Sequence, residues 1–179
     1  MAEPRTKADL LDALRSSGRE FVEKLRSQPL EQFEEGRYEG GWNGRQILAH
    51  AAAIEWTYPR LVDIAEGGVA PAKESAVGDV RRTEPDEAKG VPTRRAEGGI
   101  DSYNERQVAK RADASVAELI DEFRKNRAAT IAAVEAADDE LFGREIRSAG
   151  GITGVLADVI YAVAVLHVRG HVNDIVGAE

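Results

Sequence analysis

Four stretches of this chain repeat apolar side chains at helical spacing, and no stretch alternates convincingly as a strand does. In the first, about residues 7–28, Leu10, Leu11, Leu14, Phe21, Val22 and Leu25 recur between charged residues. Pro29 ends it, because proline disfavours helical geometry in the residue before it. The second follows Gly40-Gly41-Trp42-Asn43. Asn43 can cap its start, with Gln46 completing a capping box, and Trp42 reads as a staple against the helix. Its stripe is Ile47, Leu48, Ala51, Ile54, Tyr58, Leu61, Val62 and Ala65, and Pro59 is expected to kink or interrupt it. Asp113 or Ser115 caps the third, which carries Val116, Leu119, Ile120, Phe123, Ile131 and Val134. The last runs over about 154–176, with Thr153 as its expected cap and Gly177 as its stop. Residues 101–112 read as a short polar helix, and 29–43 and 138–151 as connections. Residues 67–99 hold Pro71, Pro85 and Pro92 among glycine and charge, a connection long enough to be functional or mobile. The expected architecture is all-α: a four-helix bundle filling a single domain over 1–179, with the long connection between helices two and three.

Composition narrows the chemistry. A chain of 179 residues buries enough surface to fold without covalent staples. It has no cysteine, so disulfides, thiolate metal sites and a cysteine nucleophile are excluded. Its 24 basic and 32 acidic residues give a net charge of -8, which argues against nucleic acid or an anionic membrane as partner. The start, Met1 to Lys7, is charged and polar, and no signal peptide is expected there. The longest apolar run, Val155 to Val168, contains Asp158 and reads as a buried helix too short to span a bilayer. A cytoplasmic protein is therefore expected.

Only three histidines are present: His50, His167 and His171. The last two lie four residues apart, one turn along the same helix face, where two imidazoles can share one ion. His50 falls among Ile47, Ala51 and Ile54 on the second helix and is expected to point inward. Three neutral imidazoles with an open fourth position would form a site of the catalytic zinc type. The same residues are compatible with imidazoles that only satisfy hydrogen bonds in a core. The segment His167-Val168-Arg169-Gly170-His171 lacks the glutamate of the zincin motif, so it supplies no general base. Asp174 shares the face of the histidine pair and can accept an imidazole hydrogen bond. Asn43 and Gln46 precede His50 on its face, as possible pocket residues or simply as the cap. No P-loop, dinucleotide-binding or nucleophile-elbow motif occurs.

A Trp-containing turn into a helix bearing His50, a long connection, the polar Asp101–Asn104 segment and the His167-x-x-x-His171 pair together resemble the DinB/YfiT-like superfamily. The likeness is greatest to its branch with mycothiol-dependent maleylpyruvate isomerases and related thiol-dependent transferases. The resemblance implies a four-helix bundle, often a homodimer, with zinc or nickel held by His50, His167 and His171. The mycothiol-dependent isomerases carry glutamate where this chain has His167, which sets the three-histidine variant closer to the DinB-like side. The implied activity is a metal-dependent transferase or isomerase. It would join a low-molecular-weight thiol to a small electrophilic substrate. Metal-dependent hydrolysis and a non-catalytic binding or sequestration protein are the alternatives.

Overall fold

The computed structural model describes residues 5–36, 41–67, 80–82, 94–96 and 99–177. Helix α1 (Lys7–Arg26) is followed by a short α2 (Glu31–Glu34), then α3 (Gly44–Glu55) and α4 (Pro59–Ala65). After the long connection come α5 (Gly99–Ala109) and α6 (Val116–Ala136). The last helix is one continuous rod from Leu156 to Val176, in three parts. These are α7 (Leu156–Tyr161), a π-turn (Ala162–Leu166) and α8 (His167–Val176). Four rods, α1, α3 with α4, α6, and α7 with α8, pack into a bundle, and α5 lies against α3.

The helix starts are chemically explicit. Thr6 with Asp9, Asn43 with Gln46, and Ser115 with Glu118 each form a reciprocal capping box. Each box satisfies backbone N–H groups that the first helical turn leaves open. Pro59 stands at the first position of α4, where its missing N–H is harmless, so the expected interruption is a clean break into two helices. Gly44 opens α3 against the α2 backbone: a Cβ there would stand 3.0 Å from the Cα of Phe33.

Three expectations need correction. Short antiparallel ladders do occur, β1 (Val80–Arg82) with β2 (Arg94–Ala96), and β3 (Glu145–Arg147) with β4 (Thr153–Val155). Three-residue strands are too brief for alternation to register in a sequence. Thr153 therefore pairs with Arg147 in a hairpin instead of capping the last helix. The first amide of that helix, Leu156 N–H, donates to Arg144 O at 2.8 Å, so the hairpin takes the place of a side-chain cap. Finally, the apolar run read as too short to span a bilayer lies within a longer helix, whose extent agrees with the expected 154–176. At 21 residues it is long and apolar enough to cross a bilayer by length and composition. In the bundle it buries Leu156, Ile160, Ala164, Val168 and Ile175. Of the long connection, the three stretches 68–79, 83–93 and 97–98 lie outside the described residues, and with them the expectation of mobility.

The core is divided. One apolar cluster gathers Leu10, Leu14, Leu61, Val62, Val134, Leu156 and Ile160. A second gathers Phe21, Leu25, Phe33, Ile47, Leu48, Phe123, Val168 and Ile175, with Phe21 stacked on Phe123 at 3.8 Å between centroids. Between them sits a buried polar layer drawn from α1, α3 and α6: Ser17, Glu55, Asn126, Arg127 and Thr130. Arg127 pairs with Glu55 through two bonds, Nε to Oε1 at 2.7 Å and Nη2 to Oε2 at 2.9 Å. Its Nη1 donates to Leu14 O and Ser17 Oγ, both at 3.0 Å, and its Nη2 also donates to Ala164 O at 2.6 Å. All five guanidinium N–H donors are thus used. Gly18 makes room for this side chain, because a Cβ there would come within 3.2 Å of Arg127 Cγ.

Candidate metal centre

The three histidines converge as the sequence suggests. His50 comes from α3 and is 4% exposed. His167 and His171 come from successive turns of α8, His171 half-buried and His167 at the open rim. One ring nitrogen from each lies within 4.8 Å of the other two. The His50 ring centroid is 5.6 Å from that of His167 and 4.9 Å from that of His171. The Nε2 atoms of His167 and His171 face each other at 2.9 Å. Ligands about 2.0–2.1 Å from a tetrahedral zinc are separated by roughly 3.3 Å, so the cluster has the size of such a site.

Its electrostatics suit a cation too. Burial first, then the neighbouring His171 and His167, push the His50 pKa down to about 3. Burial first, then His167, push His171 down to about 4, against an upward pull from Asp174. Burial also lowers His167, opposed by a ring hydrogen bond to the Val163 carbonyl and by Asp174. At neutral pH all three rings are uncharged and offer lone pairs. Asp174 Oδ2 is 3.5 Å from His171 Nδ1, at the outer edge of hydrogen-bonding reach. No other group hydrogen-bonds that buried nitrogen among the described residues. At 2.9 Å the Nε2 atoms of His167 and His171 can share a proton or a metal cation.

The remaining expected site residues fall into two groups. Asp174 takes the place foreseen for it beside His171. Asn43 and Gln46 are committed to each other: Gln46 N–H donates to Asn43 Oδ1 at 2.9 Å and Asn43 N–H to Gln46 Oε1 at 3.0 Å. Trp42, expected as a staple, does pack against the second apolar cluster, but its ring also stands 5.1 Å from that of His50 and walls the cluster.

This arrangement of rods and histidines can be set against known proteins. The family model of the DinB superfamily matches residues 10–175. The chain belongs to the DinB superfamily. No curated protein sequence matches this DinB-superfamily chain. Among solved structures it is similar to the crystal structure of the mycothiol-dependent maleylpyruvate isomerase, at 15% identity and a TM-score of 0.66. The match covers 97% of this chain and 62% of that one. At this identity the likeness is one of fold.

Sequence reasoning missed the polar layer beneath the centre of this DinB-superfamily chain. A signal was available. Ser17 falls between Leu14 and Phe21, Glu55 between Ala51 and Tyr58, and Arg127 and Thr130 between Phe123 and Val134. Each occupies a stripe position where the period calls for an apolar residue.

Proposed function

We propose that this chain is a metal-dependent enzyme of the DinB type that uses a low-molecular-weight thiol, as a transferase or isomerase acting on a small electrophile. The observation that carries the reading is the convergence of three uncharged imidazoles on one point, from two rods, with His167 at the rim. The similar fold of an isomerase described as mycothiol-dependent supports the thiol. Composition supports it as well: with no cysteine, any sulfur nucleophile has to come from a small molecule. An imidazole set of this kind suits zinc or nickel. A divalent ion bound there would lower the pKa of a coordinated thiol and so provide a nucleophile at neutral pH.

The chain's own part is positioning and exclusion. His50, deep in the bundle, closes the inner side, and Trp42 closes the flank beside it. His171 is oriented from behind by Asp174, and His167 leaves the rim side open for substrate entry. Among the described residues, Asp174 is the carboxylate that reaches the cluster, behind His171. A thiol held there would lose its proton to solvent.

The test uses cobalt as a spectroscopic probe. Metal-stripped protein is loaded with Co²⁺ and titrated with mycothiol, then with glutathione. We expect a new sulfur-to-cobalt absorption band in the near ultraviolet, and thiol consumption on a panel of electrophiles that depends on metal. Cobalt binding with no change on adding either thiol, and no metal-dependent turnover, would leave the binding-protein alternative in its place.

A further inference from the structure

The last helix widens one turn before its first histidine. His167 N–H bonds to Ala162 O, five residues back, where an α-helix would use Val163 O, four back. The Val163 carbonyl is thereby released from the backbone ladder while it stays buried. A buried carbonyl needs a partner. Tyr58 supplies one: its hydroxyl donates to Val163 O at 2.8 Å. The next carbonyl of the turn, Ala164 O, receives Arg127 Nη2 at 2.6 Å. Two side chains from two other rods therefore hold the wide turn open.

The released carbonyl has a second use. The ring of His167 reaches back to it. In an unbroken α-helix the backbone N–H of His167 itself would occupy that acceptor. Since Nε2 of His167 faces His171, the nitrogen left to donate to Val163 is Nδ1. A histidine that donates through Nδ1 keeps the Nε2 lone pair free, the tautomer a ligand requires. Tyr58 is well suited to its part. Burial first, then the nearby Glu55, raise its phenol pKa well above the ordinary value, so the hydroxyl remains a donor.

We propose that Tyr58 is a positioning residue for the histidine cluster: by holding the Val163 carbonyl freed by the π-turn, it sets the ring and tautomer of His167 so that Nε2 faces His50 and His171. The metal-affinity consequence rests on the metal-centre reading above, whereas the tautomer is a property of the metal-free protein.

The experiment compares the full chain with Tyr58→Phe, which removes one oxygen and keeps the packed ring. A second variant places 4-aminophenylalanine at position 58 and restores a donor. Long-range proton–nitrogen NMR of the imidazoles, on metal-free protein at pH 8, reads the tautomer. Cobalt titration reads affinity, and the thermal midpoint is followed alongside. In the parent, His167 is expected as the Nδ1–H tautomer. In Tyr58→Phe it becomes a mixture and cobalt binds about tenfold more weakly. The amino variant returns both toward the parent. A lower midpoint with parental tautomer and parental affinity would make Tyr58 purely structural and overturn the proposal, as would Nε2–H at His167 in the parent. A tautomer shift in Tyr58→Phe with no cobalt binding by the parent would uphold the positioning role and reject the metal reading.

Discussion

Arg127→Met is expected to destabilise the protein by about 3–5 kcal/mol, because it leaves a fully buried carboxylate without its counter-charge. Glu55 is 0% exposed, and among the described residues the Thr130 hydroxyl, at 2.9 Å, is the one donor to its carboxylate besides Arg127. The same change removes donors from Leu14 O and Ala164 O, so backbone groups on two rods lose partners together. For a domain of this length each kcal/mol moves the melting midpoint by about 2–4 °C, which gives a fall of roughly 6–20 °C. The double variant Glu55→Leu with Arg127→Met should recover most of the loss, since replacing a buried pair costs far less than breaking it. Thermal melts of the parent, both single variants and the double variant check this. Single variants within a degree or two of the parent would show that the pair contributes little to the bundle.

Acid should unfold the metal-free protein in a defined window. In the unfolded chain the imidazoles protonate near their ordinary 6.5, whereas in the fold His50 does so at about 3 and His171 at about 4. Between pH 6.5 and pH 4 the unfolded state therefore holds more protons than the folded one. Stability is fully present above pH 6.5 and is lost as the pH falls through that interval. Each of the two histidines contributes up to about 1.4 kcal/mol per pH unit. Denaturant melts of metal-free protein at pH 7.5, 6.0 and 5.0 measure the slope. His50→Gln and His171→Gln should each flatten it, while a slope unchanged in both would place the acid sensitivity elsewhere.

The rods were legible because each carries an apolar stripe at helical spacing, and the histidines because there are only three, two of them one turn apart. What stayed hidden has physical causes. The hairpin at 145–155 pairs strands of three residues, too short to leave a periodic trace. Ser17, Glu55, Arg127 and Thr130 sit on apolar stripes, yet read singly each looks like a surface residue; only their meeting in three dimensions makes them a layer. The π-turn over Ala162–Leu166 has no marker in its own residues, AVAVL, since the groups that stabilise it, Tyr58 and Arg127, lie on other rods. Asn43 and Gln46 illustrate the opposite limit. Their spacing spelled a capping box, and the structure uses it as one.

The most direct test of the metal centre is the melting midpoint of chelator-stripped protein with added zinc or nickel, measured on the parent and on His50→Ala, His167→Ala and His171→Ala. A ligand that binds only the folded state, at a hundred times its dissociation constant, adds about 2.7 kcal/mol. The parent midpoint should therefore rise by roughly 5–11 °C. Each alanine variant should still fold, and each should lose the rise, because all three rings serve one ion. A rise that persists in all three variants, or none in the parent with either metal, would contradict a centre built from His50, His167 and His171.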